Sequence, residues 1–184
     1  MGVCVNLIVA ADRNWGIGKN NQLLYHIYPD MQFFMKKTKG GSVIMGRKTL
    51  ESLPGGMPLK NRVNIILTRN PDSIESPPDI KEGGFLICKD LDELARIITQ
   101  REMDTDHIWV IGGAEIYSLL LPYCREAYVT RVLAADEEAD CRMENLDRTN
   151  GWALIETGDI QEWEGISYRY DRYINAKTKV LNNF

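Results

Sequence analysis

The chain has 184 residues, of which 44% are hydrophobic and 26% are charged. This length and composition predict one globular domain with a sizeable core. The formal net charge of -4 gives nucleic-acid binding no electrostatic support. No segment approaches the roughly 20 apolar residues that cross a bilayer, and no cationic segment precedes the apolar residues 3–11. We therefore expect a cytoplasmic protein with no nucleic-acid or membrane partner.

The first half of the chain predicts strands that alternate with short helices. The expected elements are strands at 3–10, 43–45 and 63–68, a helix at 30–37, and one or two helical turns at 49–53. Between them, residues 12–29 are expected to form a long loop, and a loop of that length in a compact chain is usually functional. The polar, proline-rich residues 69–84 predict a surface loop.

The second half of the chain changes character after Pro122. Before it, we expect a strand at 85–88, a helix at 91–100, a strand at 108–111 and a helix at 114–120. After it, residues 127–134, 152–157 and 167–174 read as strands with no helix between them, and such strands tend to pair antiparallel. The prediction is an α/β fold, a mostly parallel mixed sheet with an antiparallel C-terminal edge strand. One domain is expected at 1–176, with a loose tail at 177–184.

The cysteines and histidines give no metal-binding pattern. The four cysteines are far apart and form no CxxC pair: Cys4, Cys88, Cys124 and Cys141. Only His26 and His107 accompany them, so we expect no metal and interpret the cysteines as free thiols. His26 is taken as a loop residue and not as a catalytic base.

Two strand–glycine–helix junctions predict a site for an anionic, nucleotide-like cofactor. Gly112-Gly113 follows the strand at 108–111 directly, so a ligand can touch the backbone and the next helix can face a phosphate. At Gly46-Arg47-Lys48-Thr49, two cations and a hydroxyl meet at a helix start. A solvated helix end with a capping threonine remains the alternative there. Thr68-Arg69 ends the next strand and adds a cation, which the extra phosphate of NADPH over NADH requires.

A further glycine motif, Gly16-Ile17-Gly18, is a weaker indication of a dinucleotide site. It lacks the third glycine of a dinucleotide fingerprint, because Asn21 stands at that position, and no helix follows. We interpret it as part of a mobile loop.

Asp30 is the candidate acid for a substrate pocket. It lies in the first turn of a predicted helix that also carries Met31, Phe33 and Phe34. One interpretation is a helix cap. The other is a carboxylate in an apolar pocket, where it would bind a flat, hydrogen-bond-donating heterocycle and raise its basicity. Arg62, before the strand at 63–68, is either solvated or a bidentate clamp for a substrate carboxylate.

Six segments together resemble the dihydrofolate reductase family, and they extend over nearly the whole chain. They are AADRNWGIG at 10–18, PDMQFF at 29–34, VIMGRKTLES at 43–52, NIILTR at 64–69, IGGAEIY at 111–117 and YVT at 128–130. The resemblance implies the family's three-layer fold, a monomer, and NADPH-dependent reduction of 7,8-dihydrofolate to 5,6,7,8-tetrahydrofolate.

The resemblance also implies roles for the substrate residues. Asp30 would bind the amino group and a ring nitrogen of the pterin, Thr130 would brace Asp30, and Arg62 would hold the glutamate α-carboxylate. The residues implied to enclose the substrate rings are Ile8, Met31, Phe34, Leu53 and Ile111.

The cofactor residues implied by the resemblance are more numerous. Gly112-Gly113 would form a cis peptide against the pyrophosphate, with Lys48 and Thr49 nearby. Cations and a hydroxyl at Arg47, Thr68 and Arg69 would hold the 2′-phosphate. Ala10, Ile17, Gly18 and Tyr117 would border the nicotinamide. The remaining implied contacts are Gly46, Leu67, Lys89, Ile111, Ala114, Glu115 and Ile116.

The chain departs from the family pattern ahead of the acid. Leu24-Tyr25 stands where the family usually has a proline–tryptophan pair, and Pro29 immediately precedes Asp30. The family's tryptophan helps to order an active-site water, and Tyr25 is expected to donate a hydrogen bond in this role from a different place. Two alternatives stay open: a reductase of the same fold acting on another pteridine or a riboflavin-pathway pyrimidine, and a catalytically weak NADPH-binding homologue.

Overall fold

The computed structural model describes residues 2–74 and 84–182, and one large sheet runs through this part of the chain. In spatial order its strands are β10 (Trp152–Thr157), β12 (Ile166–Asn175), β8 (Cys124–Val132), β1 (Val5–Ala11), β7 (Ile108–Gly112), β4 (Ser42–Gly46), β5 (Val63–Leu67) and β6 (Phe85–Cys88). A short β11 (Gln161–Trp163) pairs with β12. All neighbours from β8 to β6 are parallel, whereas β12 is antiparallel to both β8 and β10. The predicted mixed sheet with an antiparallel C-terminal edge is confirmed.

Four α-helices lie at or within two residues of their predicted positions. They are α1 (Tyr28–Thr38), α2 (Arg47–Ser52), α3 (Leu91–Gln100) and α4 (Ala114–Leu120). In α3 the side chain of Asp90 accepts a hydrogen bond from the backbone N–H of Glu93 at 2.8 Å, which satisfies one of the free donors of the first turn. Leu94, Ala95 and Ile98 then form its buried face.

Alternating side chains of the strands build a core on each face of the sheet. Leu7, Ile44 and Ile65 pack in one cluster with α3 and α4, and Ile8 and Ile66 pack on the opposite face with α1 and α2. Because successive residues of a strand point to opposite faces, apolar runs such as β4 and β5 fill both cores. The result is a three-layer helix–sheet–helix arrangement.

The prediction of a loop at residues 12–29 is wrong for its central part. Strands β2 (Gly16–Lys19) and β3 (Gln22–Leu23) form a hairpin there, and β2 also pairs with β9 (Cys141–Arg142). The fully buried Asp12 accepts backbone N–H bonds from Asn14, Gly16 and Asp136 at 2.7–2.9 Å. Strands this short carry no readable two-residue period, so no pattern in the sequence indicated them.

The C-terminal segment is also more ordered than expected. Leu181 is 4% exposed and pairs with Val3, and the backbone N–H of Lys179 donates to the carbonyl of Pro122 at 2.8 Å. The prediction of a loose tail therefore fails for residues 177–182, whereas 183–184 lie outside the described residues. Within the predicted loop at 69–84, one 3-10 turn forms at Pro71–Ser73, and residues 75–83 are likewise outside the description.

The four cysteines are free thiols, and two of them, Cys88 and Cys124, are buried. No helix in the described part of the chain is long and apolar enough to cross a membrane.

Candidate active site

The two glycine junctions meet at one edge of the sheet. Strands β4 and β7 are parallel neighbours, and Met45 pairs with Gly112, so their carboxyl ends lie side by side. Gly46-Arg47 therefore adjoins Gly112-Gly113, whose peptide bond is cis, as expected. The carboxyl ends of neighbouring parallel strands are the usual place for a ligand in such a sheet.

The glycines at this edge leave little room for side chains. A Cβ on Gly46 would lie 3.0 Å from Ile116, and one on Gly113 would lie 3.5 Å from the hydroxyl of Thr49. Gly112 has a φ of 125°, which other residues rarely adopt, and a Cβ there would touch the ring of Tyr117 at 3.4 Å. Because Gly113 has no Cβ, a ligand can approach the backbone beside Thr49 closely, which fits a phosphate-bearing group.

Tyr117 has a structural contact as well as its implied place beside the cofactor. It is 4% exposed, and its hydroxyl donates to the backbone carbonyl of Ile8 at 2.8 Å. This bond ties α4 to the central strand β1. At the end of β1 lies the half-buried Ala10, and the buried Ile17 and Gly18 lie in β2.

The cations expected to hold a 2′-phosphate surround the ends of β4 and β5. The Nη1 of Arg47 donates to the hydroxyl of Ser73 at 2.8 Å, and its Nε lies 3.3 Å from Glu51. Arg69 is exposed and lies 3.7 Å from Glu115. Other implied contacts differ in exposure: Leu67 is buried, Thr68 and Ala114 are half-buried, and Lys48 and Lys89 are exposed. Among the described residues, the carboxylate that pairs with each arginine is exposed, and such pairs are weak.

Asp30 and Thr130 come together although they are 100 residues apart in sequence. The hydroxyl of Thr130, on β8, donates to Asp30 Oδ1 at 2.6 Å. Asp30 lies in the first turn of α1, but the N-cap residue is Ile27 and no side chain caps the helix. The helix-cap interpretation of Asp30 is therefore wrong, because its carboxylate bonds to the neighbouring strand.

Burial raises the pKa of Asp30, and the hydrogen bond from Thr130 opposes this rise only in part. Ile8, Phe34, Leu53 and Ile111 belong to one apolar cluster on this face of the sheet, whereas Met31 is 41% exposed. That these side chains enclose a substrate beside Asp30 stays a prediction.

One further prediction follows from this pKa. The pKa of Asp30 is higher in the folded protein than in the unfolded chain. The protonated side chain therefore stabilises the fold fully at low pH, and this stabilisation is lost as the pH rises through the folded-state pKa. Asp30→Asn should therefore melt at a higher temperature than the parent at pH 7, with the difference shrinking toward pH 4. Thermal melts across this range measure it. Asp159→Asn, at an exposed acid, is the control, and a constant difference for Asp30→Asn would contradict the prediction.

Arg62 is held at the end of α1. Its Nε donates to the Thr38 hydroxyl at 2.7 Å, and its two terminal nitrogens donate to the carbonyls of Lys60 at 2.6 Å and Met35 at 3.3 Å. A guanidinium has five N–H donors, so one on each terminal nitrogen remains for another acceptor. Burial also lowers the pKa of Arg62.

Tyr25 does not join Asp30 and Thr130. It packs on an apolar cluster formed by Ile27, Val132 and Tyr168, and no hydrogen bond links it to Asp30 among the described residues. Burial raises the pKa of its hydroxyl, and the negative charge of Asp12 adds to this effect. His26 is exposed, as expected for a loop residue.

The sequence analysis missed Tyr170. On β12 it pairs with Thr130, and its ring stacks on Phe33 of α1 with centroids 4.3 Å apart. Burial raises the pKa of Tyr170, and the charge of Asp30 adds to the rise. Tyr168 and Tyr170 share one face of β12 by their two-residue spacing, but the sequence could not reveal which helix they meet.

Three features occur together here: a parallel α/β sheet, glycines at the strand ends, and one carboxylate beside apolar side chains. This combination is typical of oxidoreductases that bind a dinucleotide. Comparison with known proteins agrees. The family model described as dihydrofolate reductase matches residues 4–176. The chain is 35% identical over 182 residues to dihydrofolate reductase of Bacillus subtilis (strain 168), covering 98% of this chain and 99% of that protein.

A relative from an animal and one from a virus also match over nearly the whole chain. Dihydrofolate reductase of Rattus norvegicus is 33% identical over 186 residues, covering 92% of this chain and 96% of the relative. The viral dihydrofolate reductase of Saimiriine herpesvirus 2 (strain 488) is 30% identical over 200 residues, covering 100% and 89%. The chain belongs to the dihydrofolate reductase family.

Proposed function

We propose that this protein reduces 7,8-dihydrofolate to 5,6,7,8-tetrahydrofolate with NADPH as the hydride donor. Membership of the family makes it an oxidoreductase that reduces dihydrofolate and uses a nicotinamide cofactor. The choice of NADPH and the roles of individual residues are the proposal. The substrate roles rest on the Asp30–Thr130 pair at 2.6 Å beside the apolar cluster, and the choice of NADPH rests on Arg47 and Arg69 near the strand ends.

Asp30 would bind and polarise the pterin. Its carboxylate can accept hydrogen bonds from the pterin amino group and a ring nitrogen, while the Thr130 hydroxyl fixes its orientation. A negative charge held in an apolar pocket favours protonation of the bound ring, which is what the pterin N5 requires. Phe34 and Leu53 would exclude water from the ring on either side of the acid.

The cofactor residues would act by position and charge. When bound, NADPH supplies the hydride, which passes from the nicotinamide C4 to the pterin C6. Gly112-Gly113 and Thr49 would bind the pyrophosphate at the edge of the sheet. Arg47 and Arg69 would pair with the 2′-phosphate. Ile17 and Gly18 on β2 would border the nicotinamide, so the β2–β9 pairing would hold this loop in place.

A single assay tests the function. Loss of NADPH absorbance is followed with and without dihydrofolate, and again with NADH. We expect oxidation that depends on dihydrofolate and is faster with NADPH at low cofactor concentration. Tight NADPH binding without such turnover would support the non-catalytic alternative. A monomeric state, a cytoplasmic location and a single domain remain predictions.

Arg62 is predicted to recognise the carboxylate tail of the substrate. Lysine cannot reproduce the bidentate geometry of the guanidinium, so Arg62→Lys should raise the KM for dihydrofolate by roughly tenfold and leave the KM for NADPH nearly unchanged. Steady-state kinetics with dihydrofolate and with a dihydropterin that lacks the glutamate measure the effect.

Thr38→Val is the matched control for Arg62. It removes the acceptor of the Arg62 Nε but keeps the guanidinium, so it separates helix anchoring from substrate recognition. A smaller rise in KM is expected for this variant. If the truncated pterin loses as much with Arg62→Lys as dihydrofolate does, the carboxylate clamp lies elsewhere.

A further inference from the structure

A cavity of about 700 Å³ lies away from the glycine junctions. It opens beside the C-terminal half of α1, where Phe33, Lys36 and Lys37 line it. Its other wall contains Asn6 and Trp109, which are each the second residue of their strands, β1 and β7. The cavity therefore lies toward the amino ends of parallel strands whose carboxyl ends carry the candidate active site.

The walls of this cavity are aromatic. Trp109 and Tyr128 meet edge to face with ring centroids 5.4 Å apart, and Phe33 lines the side formed by α1. A volume of about 700 Å³ lies within the range of about 300–1,000 Å³ that is usual for small-molecule sites. Flat aromatic walls of this kind favour a planar ring as the occupant.

The charges at the cavity leave two lysines available. Of its carboxylates, Asp106 pairs with Arg125 at 2.6 Å and Glu126 with Arg172 at 3.0 Å. In the described part of the chain no ion pair includes Lys36 or Lys37. The Lys37 ammonium lies over the ring of Tyr128 at 4.2 Å from its centroid. Two unneutralised ammonium groups beside aromatic walls favour an anionic ligand.

Trp109 adds an unused hydrogen-bond donor. Its side chain lines the cavity and is 5% exposed, and its buried Nε1–H has no acceptor among residues 2–74 and 84–182. A buried donor without a partner is unfavourable, so such groups are uncommon. The indole thus lies at the wall of the cavity with its N–H covered.

From these observations we propose that the cavity is a binding site for an aromatic carboxylate. The ring would pack against Trp109, Tyr128 and Phe33, and the carboxylate would lie against Lys36 and Lys37. The site is separate from the pocket of Asp30, although α1 and β8 contribute residues to both.

Indole nitrogen signals provide a direct test with the full-length protein. The chain has 4 tryptophans, so a ¹⁵N spectrum shows few indole signals, and Trp109→Phe assigns the one from Trp109. Titration with 2-naphthoate should shift this signal saturably. The neutral 2-naphthamide should bind about tenfold more weakly, and acetate, which has no ring, should produce no saturable shift.

Matched lysine variants decide whether the charge belongs to this cavity. Lys36→Ala combined with Lys37→Ala should weaken 2-naphthoate binding by about tenfold or more, whereas Lys39→Ala, at the exposed end of the same helix and outside the cavity, should change it less than twofold. The Trp109 signal itself reports that each variant is folded.

Three outcomes would overturn the proposal. They are an unmoved Trp109 signal, equal binding of 2-naphthoate and 2-naphthamide, and equal weakening by the control and the double variant. A repeat with saturating folate separates the two sites: persistence of the Trp109 shift supports the proposal, and its loss means that naphthoate occupies the folate pocket. None of these results depends on whether the protein turns over dihydrofolate.

Discussion

Asp30→Asn is expected to lower kcat/KM for dihydrofolate by about 10²-fold or more at pH 7, the size of a lost acid–base contribution. The substitution keeps the size of the side chain and an oxygen that accepts from Thr130, but removes the negative charge. Without this charge the bound pterin is a weaker base, so proton delivery to N5 should limit the reaction. NADPH affinity should be unchanged, because the cofactor residues lie at a different part of the edge.

The pH profile distinguishes this role from a structural one. The loss should shrink at low pH, where solvent can protonate the substrate, and grow as the pH rises. Steady-state and single-turnover rates from pH 5 to pH 9 measure it, with Asp159→Asn as an exposed-acid control. Wild-type activity of Asp30→Asn at pH 7 would overturn the proposed substrate site.

Arg47→Ala should weaken NADPH binding by roughly tenfold or more and leave NADH binding almost unchanged. A charged contact to a phosphate contributes about 1.5–3 kcal/mol, and NADH lacks the 2′-phosphate. In the structure the guanidinium is held by Ser73 at 2.8 Å and is opposed by Glu51 at 3.3 Å. Glu51→Gln removes the opposing charge and should therefore raise the affinity for NADPH slightly.

Two controls define what the Arg47 result means. Arg101→Ala removes an exposed cation at the end of α3 and reports the effect of net charge alone. Ser73→Ala removes the hydroxyl that orients Arg47 and should give a smaller loss for NADPH. Fluorescence titrations with both cofactors measure the affinities, and an equal loss for NADPH and NADH in Arg47→Ala would reject the phosphate assignment.

Most strands of the sheet and its helices were predictable from local sequence patterns. The apolar runs of β5 and β6 and the amphipathic pattern of α3 gave their positions to within a residue, because burial on one face leaves a period and burial on both faces leaves a continuous apolar run. The glycine junctions also indicated the edge where we propose that the cofactor binds, since strand ends and missing Cβ atoms are local properties. Very short pairings, such as β2 with β9, left no such period.

Contacts between remote side chains were not predictable from the sequence. Thr130 reaches Asp30 from a strand 100 residues away, and this bond excludes the helix-cap interpretation, which the residues around Asp30 alone had favoured. The fold also engages Arg62 at the end of α1 and turns Tyr25 toward an apolar cluster instead of the acid. These outcomes depend on how β8, β12 and α1 pack together. A residue's own neighbours in sequence fix its period and its turn, but distances between remote side chains arise only when the layers assemble.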